Sequence, residues 1–521
     1  MIGGRMPAAR PFSCLAFNAS NLFQALANQH CAAAEVAKNP RAQYLARYLA
    51  KIDAQSIVVE TDYVDQDYLE DFASYYVRCF CSYPRWCRRL HFFGTPLDDA
   101  KVIAAVRGEP DGAVEDLLKS SYLGFVVARP LPSAIIGRTV LKTYPDDNGR
   151  RRYTCLTLYE SNLFGVDLSV RSLAYQEQDT VLAACATVAL WSCFNRTRVL
   201  FGSRAPSPAE ITRQANLVAH DARPIPSRGL NVQQICHAIH QVGLEPEVFR
   251  VSAGVPLPSL LCAYLRCGHP VLLGVNVEGE GPHAIALTGY AMGDAVSLPH
   301  EVGAGEKAAQ MRGRRVTHFF AHDDQIGPFS RIAVRPSVKV STPAGEVVYP
   351  VAFDGSWMDN KTGRFLTLYP LVVIIPVYHK VRVTFMDLQK WLGRLSTVLL
   401  AFQQPLDYEW DVFLTTSNDL KRDLRSPGVS GDLRQALSVR GHPRYIWRCV
   451  LRVSGTPRLE LIGDATDMDR SFPAYATIWH DSAFKNSLRS LLTLPPLLGP
   501  LQETLTLRFW EFLKEQAEGV T

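Results

Sequence analysis

Residues 175 to 194 read Tyr175-Gln176-Glu177-Gln178-Asp179-Thr180-Val181-Leu182-Ala183-Ala184-Cys185-Ala186-Thr187-Val188-Ala189-Leu190-Trp191-Ser192-Cys193-Phe194, and the fold hinges on how this stretch is read. Its first half is polar and turn-like, and its second half is a run of good helix formers, which predicts a helix starting at or just before Cys185. A cysteine at a helix start faces unpaired N–H groups and the positive end of the macrodipole, both of which favour the thiolate, the nucleophilic form. Most free cysteines are simply small buried apolar residues. Two segments further on favour chemistry for this one: Gly281-Pro282-His283-Ala284 and His322-Asp323-Asp324.

Outward from this stretch, the residues before it form a β-rich lead-in over 120–172. The runs Leu123 to Val127, Ile136 to Leu141, Tyr153 to Leu158 and Val166 to Val170 are separated by Pro, Gly and Asp-Asp-Asn turns. Ahead of it, residues 1–115 are expected to be mainly helical, with Tyr68, Leu69, Phe72, Tyr75 and Tyr76 at helical spacing and Ile57 to Glu60 a short strand. Downstream, Asn231 to Val242 is an amphipathic helix with His237 and His240 on its solvated side. Pro258 to Arg266 is another helix, and Val271 to Val277 and Ala284 to Tyr290 are strands, with His283 at the start of the second. Ala291 to Val316 is polar and Gly-rich, in the manner of a surface insertion or flap. Thr317 to Ala321 and Phe329 to Val334 are strands on either side of a turn at His322 to Pro328.

A separate α+β domain is expected over 336–521. It contains buried strands in Phe365 to Tyr378, a helix from Thr384 capped by Asp387, a hairpin around Gly455, and an amphipathic helix from Leu501 to Gln516. The corresponding middle domain is 116–335, with its core over 172–335.

Composition narrows the function classes. The 521 residues carry 55 Lys and Arg against 50 Asp and Glu, a formal charge of +5, and 47% are hydrophobic, as in a globular protein. Basic clusters at Arg85 to Arg89, Arg150 to Arg152 and Arg312 to Arg315 lack aromatic stacking platforms, so no nucleic-acid partner is expected. The apolar run Phe365 to Tyr378 is too short for a bilayer and holds Pro370 and Pro376, so no membrane span is expected. The opening residues do not lead into a secretory apolar core, and the 12 cysteines lack regular spacing. Both features point to reduced thiols in the cytoplasm. Cys79, Cys81, Cys87 and His91 match no zinc spacing, and Asp464, Asp467 and Asp469 lack a calcium-loop glycine. Neither a metal nor an organic cofactor is therefore expected.

Thiol hydrolysis needs a thiolate, a base that can return a proton, and a donor for the oxyanion. Cys185, His283 and Gln178 supply them in chain order, with Asp323 preferred to Asp324 as the acid that fixes the imidazole. Cys185 and His283 stand 98 positions apart (283 minus 185), so only the fold can join them.

At these residues the chain resembles the papain-fold cysteine peptidases, most closely the branch that trims double-glycine leader peptides from bacteriocins and its stand-alone relatives. The resemblance rests on Gln178 ahead of Cys185, on Gly268-His269-Pro270-Val271, on His283 before an apolar strand ending in Gly289-Tyr290, and on the Asp323 to Gly327 turn. It covers about Ser172 to Val334. It implies an α+β papain-like core, Cys185 as nucleophile, His283 as base, Asp323 as orienter, Gln178 as oxyanion donor, and a protein or peptide substrate. Gln178 lies one position further from the cysteine than the family interval, and the 40 positions from His283 to Asp323 leave room for an insertion over 291–316. A transglutaminase-like acyl transferase or deamidase would use the same groups, and an idle binding module would retain them without using them.

Overall fold

The computed structural model describes residues 11–108, 112–179, 181, 184–218, 229–252, 254–294, 309–342, 345–358, 363–402, 407–427, 429–468, 474–492 and 507–518. Its centre grows from the β-branched and aliphatic run Val271–Val277, which folds back through a turn at Gly279 and Gly281, both at positive φ, onto Gly281–Met292. Val316–Asp323, Gly327–Arg335, Ala352–Met358 and Phe365–Tyr378 follow as successive antiparallel neighbours. The last of these returns to the first, with Leu272 opposite Ile374 and Val277 opposite Leu368. Six antiparallel strands thereby close into a barrel, and closure removes the free edges that an open sheet would leave.

The seam between first and last strands carries its own sequence devices. Pro370 has no N–H to give, and the pairing slips there by one residue, from Gly274 opposite Val372 to Val275 opposite Pro370. A Cβ at Gly274 would come within 2.7 Å of Val372 Cγ1, so the strands can approach only because that position is glycine. Along the strands, Leu273, Val275, Ile285, Phe319, Phe353 and Val373 belong to one buried cluster, while Leu272, Ala284, Ala286 and Ile374 belong to another that includes the helix Cys185–Phe201. The two faces of the barrel wall are thus both apolar, and each fully buried large aliphatic residue contributes on the order of 2 kcal/mol.

This architecture overturns the expected papain-like α+β core. The chain is built on a closed antiparallel barrel and further antiparallel sheets, with helices packed around them. The barrel takes strands from both sides of residue 335, because Ala352–Met358 and Phe365–Tyr378 complete it instead of seeding a separate domain. The first 115 residues, helical over Ala19–Leu26, Pro40–Lys51, Gln66–Ser74 and Asp99–Arg107, also give more strands than the one expected near Ile57. Phe12–Ala16, Ser56–Tyr63 and Cys87–Phe93 join Tyr122–Ala128 and Ile136–Leu141 in one five-stranded sheet. Charge hid the third of these strands: Arg89 lies within it, paired with Glu60 at 2.7 Å and stacked on Tyr63. Cys87 and His91 are part of the same strand, and the His91 ring is engaged by Tyr122 and Glu60.

Thr157–Leu163 and Val166–Ser172 form a hairpin. Tyr408–Thr416, Tyr445–Val453, Thr456–Asp464 and Ala474–Trp479 form a four-stranded sheet that meets the barrel surroundings where Met311 bridges Trp410. Beyond the insertion, whose residues 295–308 lie outside the described residues, Arg312 and Arg315 both reach Glu409 of that sheet, at 2.5 and 2.6 Å. Asp464 caps a turn through Thr466, and Asp469 lies outside the described residues. The expected C-terminal helix is described over Leu507–Glu518, and its expected start at Leu501 lies outside the described residues. Among the described residues, no helix is long and apolar enough to cross a membrane.

Candidate active site

The helix Cys185–Phe201 begins at the cysteine itself. Ala184 precedes it in extended conformation and offers no side-chain cap, and the first backbone bond of the helix runs from Val188 N–H to Ala184 O at 3.1 Å. The N–H groups of Cys185, Ala186 and Thr187 therefore have no intrahelical acceptor. Small residues let the helix lie close on the barrel: Ala186 and Ala189 are buried with Leu190, Trp191 and Phe194. Ser192 Oγ donates to Ala174 O at 2.9 Å, tying the helix to the run that leads into it.

That run is fastened at several points to the five-stranded sheet. Tyr175 exchanges backbone bonds with Thr139 at 2.7 and 2.9 Å, and Glu177 N–H donates to Ile136 O at 3.0 Å. The Glu177 carboxylate accepts from Ile136 N–H at 3.0 Å and pairs with Arg41 at 2.9 Å. Tyr76 donates its hydroxyl to Asp179 at 3.0 Å, and Val181 N–H bonds the same carboxylate. These bonds hold the approach to Cys185, which is itself only partly exposed.

Strand pairing carries His283 and Asp323 to the same end of the barrel, since Ala286 lies opposite His322. His283 Nε2 is 3.0 Å from Asp323 Oδ1 and 3.7 Å from Asp324 Oδ1. Asp323 also accepts from Gln325 N–H at 3.0 Å and from the indole N–H of Trp357 at 2.7 Å. The Trp357 ring stands nearly edge-on to the imidazole, 4.9 Å away at 71°. Burial disfavours the imidazolium, but Asp323, the neighbouring Cys185 thiol and Asp324 together raise the His283 pKa well above the usual histidine value. Burial also acts against the Asp323 carboxylate. The His283 charge and the three hydrogen bonds outweigh it and hold that carboxyl below the ordinary range.

The structure thus brings Cys185, His283 and Asp323 together in the order sulfur, imidazole, carboxylate. Gln178 is half-buried, and its carboxamide is hydrogen-bonded to none of the three. The N–H groups of the helix start, which have no intrahelical acceptor, lie next to the sulfur itself and have the chemistry of an oxyanion site. Two participants escaped the sequence reading. Trp357 lay in a segment assigned to another domain, and no motif marks it. Arg41, at the start of the helix Pro40–Lys51, donates to Asp324 O at 3.0 Å and to the Gln325 side chain at 2.5 Å, bracing the acid turn from the N-terminal part of the chain.

His283, Asp323 and Asp324 offer one nitrogen and two carboxylate oxygens within 4.8 Å of one another, a spacing that also suits a cation. Asp323, however, spends both oxygens on His283, Gln325 and Trp357, so the arrangement fits a proton-sharing chain better than a coordination sphere. His322, adjacent in sequence, is different. Both its ring nitrogens serve backbone groups, of Leu173 and Phe329, and burial pulls its pKa down to about 3, leaving a neutral structural imidazole.

No protein-family model matches the chain, and no curated protein is significantly similar to it.

Proposed function

We propose that the chain is a cysteine peptidase that acts on a protein or peptide substrate. The observation that carries this reading is His283, hydrogen-bonded to Asp323 at 3.0 Å, with the thiol of Cys185 beside it at the tip of a helix whose first N–H groups have no intrahelical acceptor. The chemistry follows from the order of these groups. The Cys185 sulfur adds to a carbonyl carbon, and the displaced electron pair settles on oxygen facing the N–H groups of the helix start. When that intermediate collapses, His283 gives its proton to the departing amine and a thioester remains. His283 then takes a proton from water, which attacks the thioester, and an acid product and the free thiol result. Asp323 keeps the imidazole turned toward the sulfur throughout.

A cytoplasmic setting belongs to the same proposal. All 12 cysteines are unpaired, including the exposed Cys81, as a reducing compartment would keep them.

The test is iodoacetamide labelling of the intact protein at about pH 5.5, where an ordinary thiol is only about one part in a thousand ionised. Labelling sites are read by peptide mass. Cys185 should react far faster than Cys81, and His283→Ala should remove the difference. Equal rates at the two cysteines would refute the thiol–imidazole pair. With a peptide mixture as substrate, cut backbones that have each gained a water support a peptidase. Intact peptides with converted glutamine side chains would instead identify a deamidase.

A further inference from the structure

Asp324 stands beside the acid of the triad with no assigned task. Its side chain is 1% exposed, and Oδ1 lies 3.7 Å from His283 Nε2, only 0.7 Å further (3.7 minus 3.0) than the Asp323 oxygen that holds the ring. The two carboxyls are differently served. Asp323 receives donors on both oxygens. Asp324 receives the Gln325 carboxamide on Oδ2 at 3.1 Å, while its Oδ1 has no hydrogen-bond partner. An ionised oxygen left unpaired in the interior is costly, and two adjacent buried carboxylates resist ionising together.

The groups facing Asp324 are His283 and Asp323 from the barrel, Arg41 from the helix Pro40–Lys51, and Tyr175, whose hydroxyl reaches the Asp324 carbonyl at 3.5 Å; Glu177 in turn faces Arg41. Burial and Asp323 raise the Asp324 pKa against the pull of His283 and Arg41, to about 7. Asp323 is therefore the member of the pair that ionises first, and Asp324 the one that keeps its proton to higher pH.

We infer that Asp324 is a reserve positioning acid, able to take over the imidazole of His283 when Asp323 cannot hold it. This rests on the reading of Cys185 and His283 given above. Without the Asp323 charge, the repulsion on Asp324 disappears while His283 and Arg41 still face it. The second carboxyl then ionises and closes on Nε2. In a triad with a single acid, replacing that acid by its amide costs roughly ten-thousandfold in turnover. Here the loss should be much smaller.

The experiment measures iodoacetamide labelling of Cys185 at about pH 5.5 in wild type, Asp323→Asn, Asp324→Asn and the double variant, with Cys81 as internal reference. Asp323→Asn is expected to stay within about tenfold of wild type, and the double variant to fall roughly a further hundredfold, toward the rate of an ordinary thiol. Asp324→Asn should change the pH dependence near neutrality, a readout that a purely packing role would not move. An Asp323→Asn protein as slow as the double variant overturns the inference. If the double variant does not fold, Asp323→Asn alone decides: a Cys185 rate more than tenfold above that of Cys81 supports the reserve acid, and a lower one overturns it. A wild-type Cys185 no faster than Cys81 would instead remove the peptidase reading itself, so the two failures are distinct.

Discussion

The indole of Trp357 offers the sharpest measurement on the site. Trp357→Phe keeps a ring against His283 but removes the N–H that reaches Asp323 Oδ2 at 2.7 Å. A hydrogen bond to a charged acceptor contributes about 1.5–3 kcal/mol. Here the acceptor is 2% exposed and the donor half-buried, so about 2 kcal/mol is a fair central value. The bare substitution also leaves a small void, so the bond should be isolated by a cycle of Trp357→Phe, Asp323→Asn and the double variant, in which the void cancels. Urea unfolding at about pH 7 supplies the free energies, since a carboxyl held below the ordinary range contributes fully above the unfolded carboxylate pKa of about 3.9 and loses its contribution as pH falls through the folded value. The expected coupling is about 2 kcal/mol in favour of the native pair. Effects that add to within about 0.5 kcal/mol would show that the indole only fills space. Trp357→Phe should also slow Cys185 labelling at low pH, by no more than the roughly tenfold expected of Asp323→Asn, since the indole acts on the imidazole through that carboxylate.

Two further outcomes test the frame around the site. Gly274→Ala puts a methyl 2.7 Å from Val372 Cγ1 at the barrel seam and should destabilise by about 1–3 kcal/mol in thermal unfolding, with Val372→Ala restoring part of the loss. His269 is buried with both ring nitrogens unpartnered, and burial, with help from Arg196, lowers its pKa to about 3. The folded chain then binds fewer protons than the unfolded one between about pH 6.5 and 3, so stability falls as pH drops through that window. His269→Phe should therefore recover about 3 kcal/mol at pH 4.5 relative to pH 7.5, and identical acid branches in urea unfolding would contradict the burial argument.

Much of the local structure was legible in the sequence, because the signals that set it are local. The helix starts at Cys185, where polar turn sequence gives way to helix formers, and Thr384 and Asp387 cap the helix Phe385–Phe402 through a 2.9 Å bond. Ile136–Leu141 and Tyr445–Val453 are strands with the expected bounds. The barrel was not legible. Its decisive pairing joins Leu272 to Ile374, 102 positions apart, and nothing in the periodicity of either strand names its partner. Pro370 read as an interruption, yet it sits where the register slips and no N–H is required. At the site, His283 and Asp323 could be chosen because each follows a recognisable turn or strand boundary. Trp357 and Arg41 reach the same place from segments whose sequence is ordinary, and the choice of Gln178 followed chain order more than reach.

Barrel closure also fixes an order of events at synthesis. Cys185 leaves the ribosome 180 residues before Phe365 begins the strand that seals the seam (365 minus 185), and Trp357 emerges only shortly ahead of that strand. Until then the first strand has no partner on one side and the acid lacks its indole donor. A nascent chain thus carries Cys185 before the neighbours that surround it in the folded molecule are complete, and its surroundings are finished only as the last stave locks.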